Sequence, residues 1–161
     1  MNQYIRCLKI YQKDWDTPYM LETNAYAYLR RAGVKEYVPK FYGYDQRTPA
    51  QWGLPSIMGH TDGEFYGILL EQLEGAIQLS EKNVTLDNVV DFIAGVARIH
   101  SAGILHNDIF DRNMLYIPEA KRSVWIDFSC AQIGYDEDYY DQELQGVAGF
   151  SIEYVRPPFS L

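Results

Sequence analysis

Around Lys9 the chain reads Cys7-Leu8-Lys9-Ile10-Tyr11, one lysine set among apolar side chains, and residues 4–11 are expected to form a strand. Asp14-Trp15-Asp16-Thr17 reads as a turn, with Thr17 as a cap and Pro18 at the first position of a helix. That helix should run over 18–32, where Leu21, Ala25, Tyr28 and Leu29 recur at helical spacing. Arg30 and Arg31 fall in its last turn and Gly33 just past it. Residues 38–44 suggest a second strand. Residues 46–63, rich in Gly, Pro and Thr, read as a loop or a loose hairpin connection. Residues 64–71 form a third strand in this reading, running into a connector, Gln72-Leu73-Glu74-Gly75. Thr85 then caps a helix whose apolar positions are Leu86, Val89, Val90, Ile93, Val96 and Ala97, with His100 in line and Gly103 closing it. Short strands fit 114–117 and 123–126, with 118–121 turning between them. After Gln132 the chain becomes acidic and aromatic through Asp136-Glu137-Asp138-Tyr139-Tyr140-Asp141, a stretch that reads as a solvated face or loop. There is no internal repeat. The order of elements predicts an α+β protein with two lobes.

Composition narrows the class of partner. The 161 residues suffice for one good core, and 47% apolar with 22% charged residues is ordinary for a soluble globular protein. The net charge is −8 and the basic residues are scattered, which argues against a nucleic-acid or anionic-membrane surface. Cys7 and Cys130 lie far apart with no C-x-x-C, and read as reduced thiols. Met1 is followed by polar residues rather than a basic stretch and an apolar core, and no apolar run approaches a membrane span. The expected location is intracellular, cytoplasmic or nuclear.

The chemistry concentrates after the Thr85 helix. His106-Asn107-Asp108-Ile109-Phe110-Asp111-Arg112-Asn113 has the form H-x-D-x-x-x-x-N, and Trp125-Ile126-Asp127-Phe128-Ser129 follows the next strand pair. An acid and an amide on one short loop, with a second acid at a nearby strand end, can orient a hydroxyl and hold Mg²⁺ against ATP phosphates. His106 reads as a packed imidazole steadying the loop. Placed after a capped helix and before a strand pair ending in Asp-Phe, this pattern resembles the catalytic half of the protein-kinase-like superfamily.

The resemblance extends over about residues 7–131. It implies that Lys9 occupies the V-A-x-K lysine position and holds α/β-phosphates, with Glu22 on the next helix as its partner. Cys7, two residues before Lys9, takes the alanine position on the same strand face and is expected to line the adenine pocket. Leu70 falls at the gatekeeper, and the backbone groups of Glu71 and Leu73 are placed against adenine. Asp108 maps onto the base, Asn113 and Asp127 onto Mg²⁺ ligands, and Asp127-Phe128-Ser129 onto D-F-G.

Departures from the family pattern leave the acceptor open, as a protein or a small-molecule hydroxyl. Asn107 replaces the arginine of H-R-D, so the usual partner of an activation-loop phosphate is absent. Phe110 stands where serine/threonine kinases carry lysine, whereas Arg112 takes the position of a functional arginine in tyrosine kinases. His106-Asn107-Asp108 is also similar to the loop of choline- and aminoglycoside-kinase-like enzymes. Ser129 replaces the glycine of D-F-G, stiffening a hinge. Only eight residues precede Lys9 and 34 follow Asp127, with no A-P-E among them. The expectation is therefore a bilobal protein-kinase-like fold, truncated at both ends. Residues 1–70 would form a small lobe lacking the Gly-rich loop, 71–75 a hinge and 76–161 a partial large lobe. Its implied activity is ATP- and Mg²⁺-dependent phosphotransfer, with a pseudokinase-like binding module as the rival.

Overall fold

The computed structural model describes residues 6–134 and 137–155. The chain forms strand β1 (Arg6–Gln12), helix α1 (Asp16–Arg31), β2 (Phe41–Arg47), β3 (Phe65–Glu71), β4 (Ile77–Gln78), α2 (Leu86–His100), β5 (Ile104–Leu105), β6 (Met114–Ile117), β7 (Arg122–Trp125), β8 (Gln132–Ile133) and α3 (Glu137–Val155). Residues 4–5 of the expected first strand, and Asp136 of the acidic stretch, lie outside the described residues. The architecture is α+β.

β1, β3 and β2 make an antiparallel sheet with β3 in the centre, and β2 and β3 are the two arms of the loose hairpin. Phe65, Ile68 and Leu70 of the central strand are buried, whereas β1, an edge strand, is exposed over Arg6 to Leu8. Gly67 lets Trp52 cross the strand: a Cβ there would lie 2.8 Å from the indole. β4, β6 and β7 form a second antiparallel sheet, and β5 pairs with β8.

α1 begins at Asp16, directly after a 3-10 turn at Lys13–Trp15, so Thr17 is not its cap. The Thr17 hydroxyl donates to Asp16 instead, and Pro18 sits within the first turn, where its missing N–H costs nothing. The buried face is Tyr19, Glu22, Thr23, Ala25, Tyr26 and Leu29; Tyr28, expected on that face, is exposed. The Thr85 cap of α2 has the expected form and more: its hydroxyl accepts from the Asn88 N–H, and the Asn88 side chain accepts from the Thr85 N–H at 2.9 Å. The inner stripe differs from the expected one. Val89, Phe92, Val96 and Ile99 are buried, whereas Leu86, Val90 and Ala97 face outward. Trp125 decides the rotation. Its indole N–H donates to the Phe92 carbonyl at 3.0 Å and its ring fits against Gly95.

The acidic stretch is a helix rather than a loop. In α3 the side chains of Asp138, Tyr139 and Asp141 are exposed as expected, but Val147 is fully buried. The apolar period is hidden because Tyr140 and Glu143 occupy inward positions of the helix. Among the described residues no helix is long and apolar enough to cross a membrane.

One core runs through both sheets, and an aromatic column is its axis. Phe41 stacks on Tyr26, Tyr26 meets Phe128 edge-on at 5.1 Å, Phe128 lies 4.6 Å from His106, and His106 reaches Trp125 at 5.4 Å. At the back, the Arg122 guanidinium donates to the carbonyls of Glu36 and Val38, both at 2.8 Å, and pairs with Glu71 at 2.9 Å. A cavity of about 520 Å³ opens beside Arg122, lined by the end of α1 and the chain leading into β2. It lies apart from Lys9, Asp108 and Asp127.

Candidate active site

Lys9 projects from β1 and its ammonium lies 2.8 Å from Glu22 of α1 and 2.9 Å from Asp127, just beyond β7. Tyr11, two residues along the same strand and hence on the same face, donates its hydroxyl to Glu22 Oε2. Glu22 is completely buried. Burial pushes its carboxyl up, and Lys9 and Tyr11 pull it back only in part. For Lys9, burial alone would lower the pKa, but the Glu22 and Asp127 carboxylates outweigh it and hold the ammonium above its ordinary value.

Asp127 has φ of 62°, in the left-handed region that side chains other than glycine seldom occupy. Its Oδ1 accepts from Lys9 and from the Ser129 N–H at 3.3 Å, contacts that hold this backbone in place. Burial alone would raise its carboxyl; the hydrogen bonds from Lys9 and Ser129 bring it below the ordinary value.

The loop carrying Asp108 is closed by its own backbone, with Phe110 N–H donating to the Asp108 carbonyl and Asn113 N–H to that of Phe110. Asn113 Nδ2 donates to the Asp108 carbonyl at 2.8 Å and to its Oδ2 at 2.7 Å. Arg112 takes the other carboxylate oxygen at 2.5 Å and lies over the Phe110 ring. Asn113 and Asp127 come close because β6 and β7 pair: Met114 opposes Trp125, and the Ile126 N–H donates to the Asn113 carbonyl at 3.0 Å. Lys9, Glu22, Asp108, Arg112, Asn113 and Asp127 thus form two bonded groups on either side of that strand end.

His106 is buried between Trp125 and Phe128. Its Nε2 lies 2.9 Å from the Ile126 carbonyl, which can only accept, so the ring carries its proton there. Burial holds its pKa below the usual imidazole value. The ring is a packed, neutral support for the loop.

The remaining candidates lie along β1 and β3. Cys7 is an exposed free thiol paired in register with Leu70, which is buried. The Glu71 N–H is consumed by the Lys40 carbonyl at 2.8 Å, and its side chain turns to Arg122. Leu73 is half-buried in the connector, where its carbonyl accepts from Ala76. Two residues escaped the sequence reading. Tyr11 was findable, since strand alternation places it beside Lys9. Glu143, which accepts from the backbone of His106 and Asn107, carries no local signal.

Among the described residues no three His, Cys, Asp or Glu side chains gather into a metal cage. Asn113 spends its amide nitrogen on Asp108, which turns its oxygen toward a different partner. An asparagine oxygen with one carboxylate is a donor set of the kind Mg²⁺ uses when phosphates and water complete its shell.

The fold is kinase-like. Among solved structures it is similar to the Cydia pomonella granulovirus kinase PK-1, with a TM-score of 0.60 and 18% sequence identity. The match covers 99% of this chain and 63% of the viral kinase, so the chain spans less than two thirds of that protein's length. At this identity the likeness is one of fold. No protein-family model and no curated protein matches the chain.

Proposed function

We propose that this chain is an ATP- and Mg²⁺-dependent phosphotransferase domain of the kinase-like type, passing the γ-phosphate to a hydroxyl of a protein or a small molecule. In this reading residues 1–70 form the smaller lobe, 71–75 the hinge and 76–161 part of the larger lobe. The observation that carries it is the double ion pair of Lys9, which joins α1 to the segment after β7 across the two sheets. Lys9 and Asp127 remain about one-third exposed, at 31% and 38% of their side chains, so both are open to an incoming anion and its cation.

Each residue then has a task. Glu22, buried and fixed by Tyr11, holds the Lys9 ammonium where phosphate charge arrives. Leu70 closes the back of the purine site, the backbone at Glu71 and Leu73 meets the purine edge, and Cys7 lines its roof. Asp108 orients the acceptor hydroxyl and takes its proton as the hydroxyl oxygen bonds to the γ-phosphorus and ADP departs with the bridging oxygen. Arg112 holds Asp108 in position and adds positive charge beside it. Mg²⁺ held by Asn113 and Asp127 would neutralise charge on the phosphates.

The test is calorimetric titration with ATP, with and without Mg²⁺, followed by single-turnover transfer by wild type and Asp108→Asn. The reading requires Mg²⁺-dependent binding in both chains and transfer that falls at least about 100-fold in the variant. Absence of Mg²⁺-dependent binding would overturn it. One contact favours a second reading, nucleotide binding without transfer: both carboxylate oxygens of Asp108 are engaged by Arg112 and Asn113. Tight binding with no transfer would establish that alternative.

A further inference from the structure

The cavity beside Arg122 opens away from Lys9, Asp108 and Asp127, and its lining has a chemistry of its own. We propose that it is a binding site for a small amphipathic anion, an apolar or aromatic body carrying one acidic head; the inference stands independently of the phosphotransferase reading. Its volume of about 520 Å³ falls within the range of small-molecule sites.

Charge is the first observation. The chain carries 14 basic and 22 acidic residues, yet the cavity inverts that balance, with Arg30, Lys35, Lys40 and Arg122 lining it against a single carboxylate, Glu71. Glu71 is already answered by Arg122 at 2.9 Å, and the carbonyls of Lys35, Glu36 and Val38 take further N–H groups of the same guanidinium. Arg122 is therefore wall rather than anion receptor. The Lys40 ammonium stands over the Tyr42 ring at 5.1 Å. Arg30 and Lys35 are exposed at the rim, and among the described residues their side chains have no hydrogen-bond or ion-pair partner. The neighbouring carboxylate, Glu36, is not part of the lining and accepts from the Lys35 backbone N–H at 3.3 Å.

The floor supplies the apolar half. Tyr26, Leu29, Val34 and Val38 are buried beneath the cavity, and Phe41 stacks on Tyr26 with ring centroids 5.8 Å apart. An inorganic anion would gain nothing from that surface, whereas a flat apolar body would cover it. Internal bonds fix the walls: the Glu71 N–H donates to the Lys40 carbonyl at 2.8 Å, and the Lys40 N–H to the Glu71 carboxylate at 3.0 Å. Binding then pays little for ordering the rim. α1 ends here, and a helix C-terminus carries partial negative charge. The Tyr28, Leu29 and Arg30 carbonyls are, however, already taken by the N–H groups of Ala32, Val34 and Gly33. The acidic head therefore belongs beside Arg30 and Lys35, and the body over Leu29 and Val38.

The test uses two fluorescent probes, anilinonaphthalene sulfonate and N-phenylnaphthylamine, which share one aromatic body and differ in the sulfonate. Wild type should bind the sulfonate saturably at one site, and the neutral probe at least about fivefold more weakly. Arg30→Gln/Lys35→Gln should weaken the sulfonate at least about fivefold and leave the neutral probe within about twofold. Lys82→Gln, at an exposed cation outside the lining, should leave both probes within about twofold of wild type. Amide chemical shifts induced by the sulfonate should centre on Gly33, Val34, Lys35 and Lys40. Urea midpoints check that each variant is folded, and the two single substitutions carry the test where the double variant is not. The inference is overturned by no saturable binding, by equal affinity for the two probes, or by affinity unchanged when Arg30 and Lys35 are neutralised. It is equally overturned by a loss as large in Lys82→Gln, or by shifts centred on Leu86 and Val90, which would mean adhesion to the exposed face of α2.

Discussion

Lys9 and Asp127 stand 118 positions apart and meet at 2.9 Å, an edge strand of one sheet touching the end of a strand of the other. Removing the lysine strips two carboxylates of their partner at once, and the cost is greatest at Glu22, which is completely buried. Lys9→Met should destabilise the chain by about 1–3 kcal/mol, less than a fully buried pair would lose because the ammonium is partly solvated. It should also abolish Mg·ATP binding. Urea denaturation of Lys9→Met, Glu22→Gln and the double variant measures the coupling, which should leave the double variant more stable than the sum of the singles implies.

Cys7 offers a reporter of nucleotide placement. Its thiol is exposed rather than a buried small hydrophobe, and it shares a strand face with Lys9. Saturating Mg·ATP should slow alkylation of Cys7 by at least about fivefold while Cys130, also exposed, serves as the internal reference in the mass spectrum. The five-fold scale corresponds to about 1 kcal/mol of local protection. An unchanged Cys7 rate under conditions of measured binding would place the purine elsewhere.

The acid limb of stability has a definite sign. Glu143, Asp127 and Glu71 would each be raised by burial, but their hydrogen bonds and ion pairs bring them below ordinary carboxylate values. A carboxyl with a depressed folded pKa contributes stability in full above its unfolded value and loses it as pH falls through the folded value. Stability should therefore drop below about pH 4.5, and Glu143→Gln should flatten that limb. Glu22, raised by burial, slopes the opposite way, its contribution declining as pH rises through the raised value. Lys9, held above its ordinary value, contributes below pH 10.5 and loses that contribution as pH rises through its folded pKa. Urea midpoints across pH separate the limbs.

The aromatic column predicts a large packing loss at its centre. Phe128 is fully buried and touches both Tyr26 and His106. Phe128→Ala should cost about 3–5 kcal/mol, and Phe128→Leu clearly less. Thermal and urea unfolding of the two variants provide the check.

Gly95 sets helix propensity against space. Alanine in mid-helix gains about 1 kcal/mol over glycine. Its Cβ, however, would lie 3.0 Å from Tyr37 and 3.1 Å from Trp125, whose indole is tied to the Phe92 carbonyl and cannot retreat. Overpacking of about 1–3 kcal/mol should win, leaving Gly95→Ala less stable than wild type by urea unfolding.

Much of the site was legible because its pieces are local. Thr85 with Asn88, the turn at 118–121 and the spacing of Asp108 to Asn113 are each written within a few residues. What escaped depends on distant partners. The rotation of α2 is decided by Trp125, so Leu86 and Val90, apolar and correctly spaced, turn outward while Phe92 turns in. α3 hid because an inward carboxylate breaks its apolar period, and Glu143 makes sense only once Asn107 lies beneath it. Arg112 was expected only at the position of a functional arginine in the family pattern; its grip on Asp108 emerges from the turn between them.

Arg122 is a tie between the two sheets. Its guanidinium joins the chain leading into β2 to the end of β3, while its own backbone belongs to the second sheet. The two sheets are thus tied at this point by a single side chain. Arg122 and Lys9 are therefore two side chains that each tie the first sheet to the second, and sliding one sheet on the other would have to stretch the Glu71 pair or the Asp127 pair.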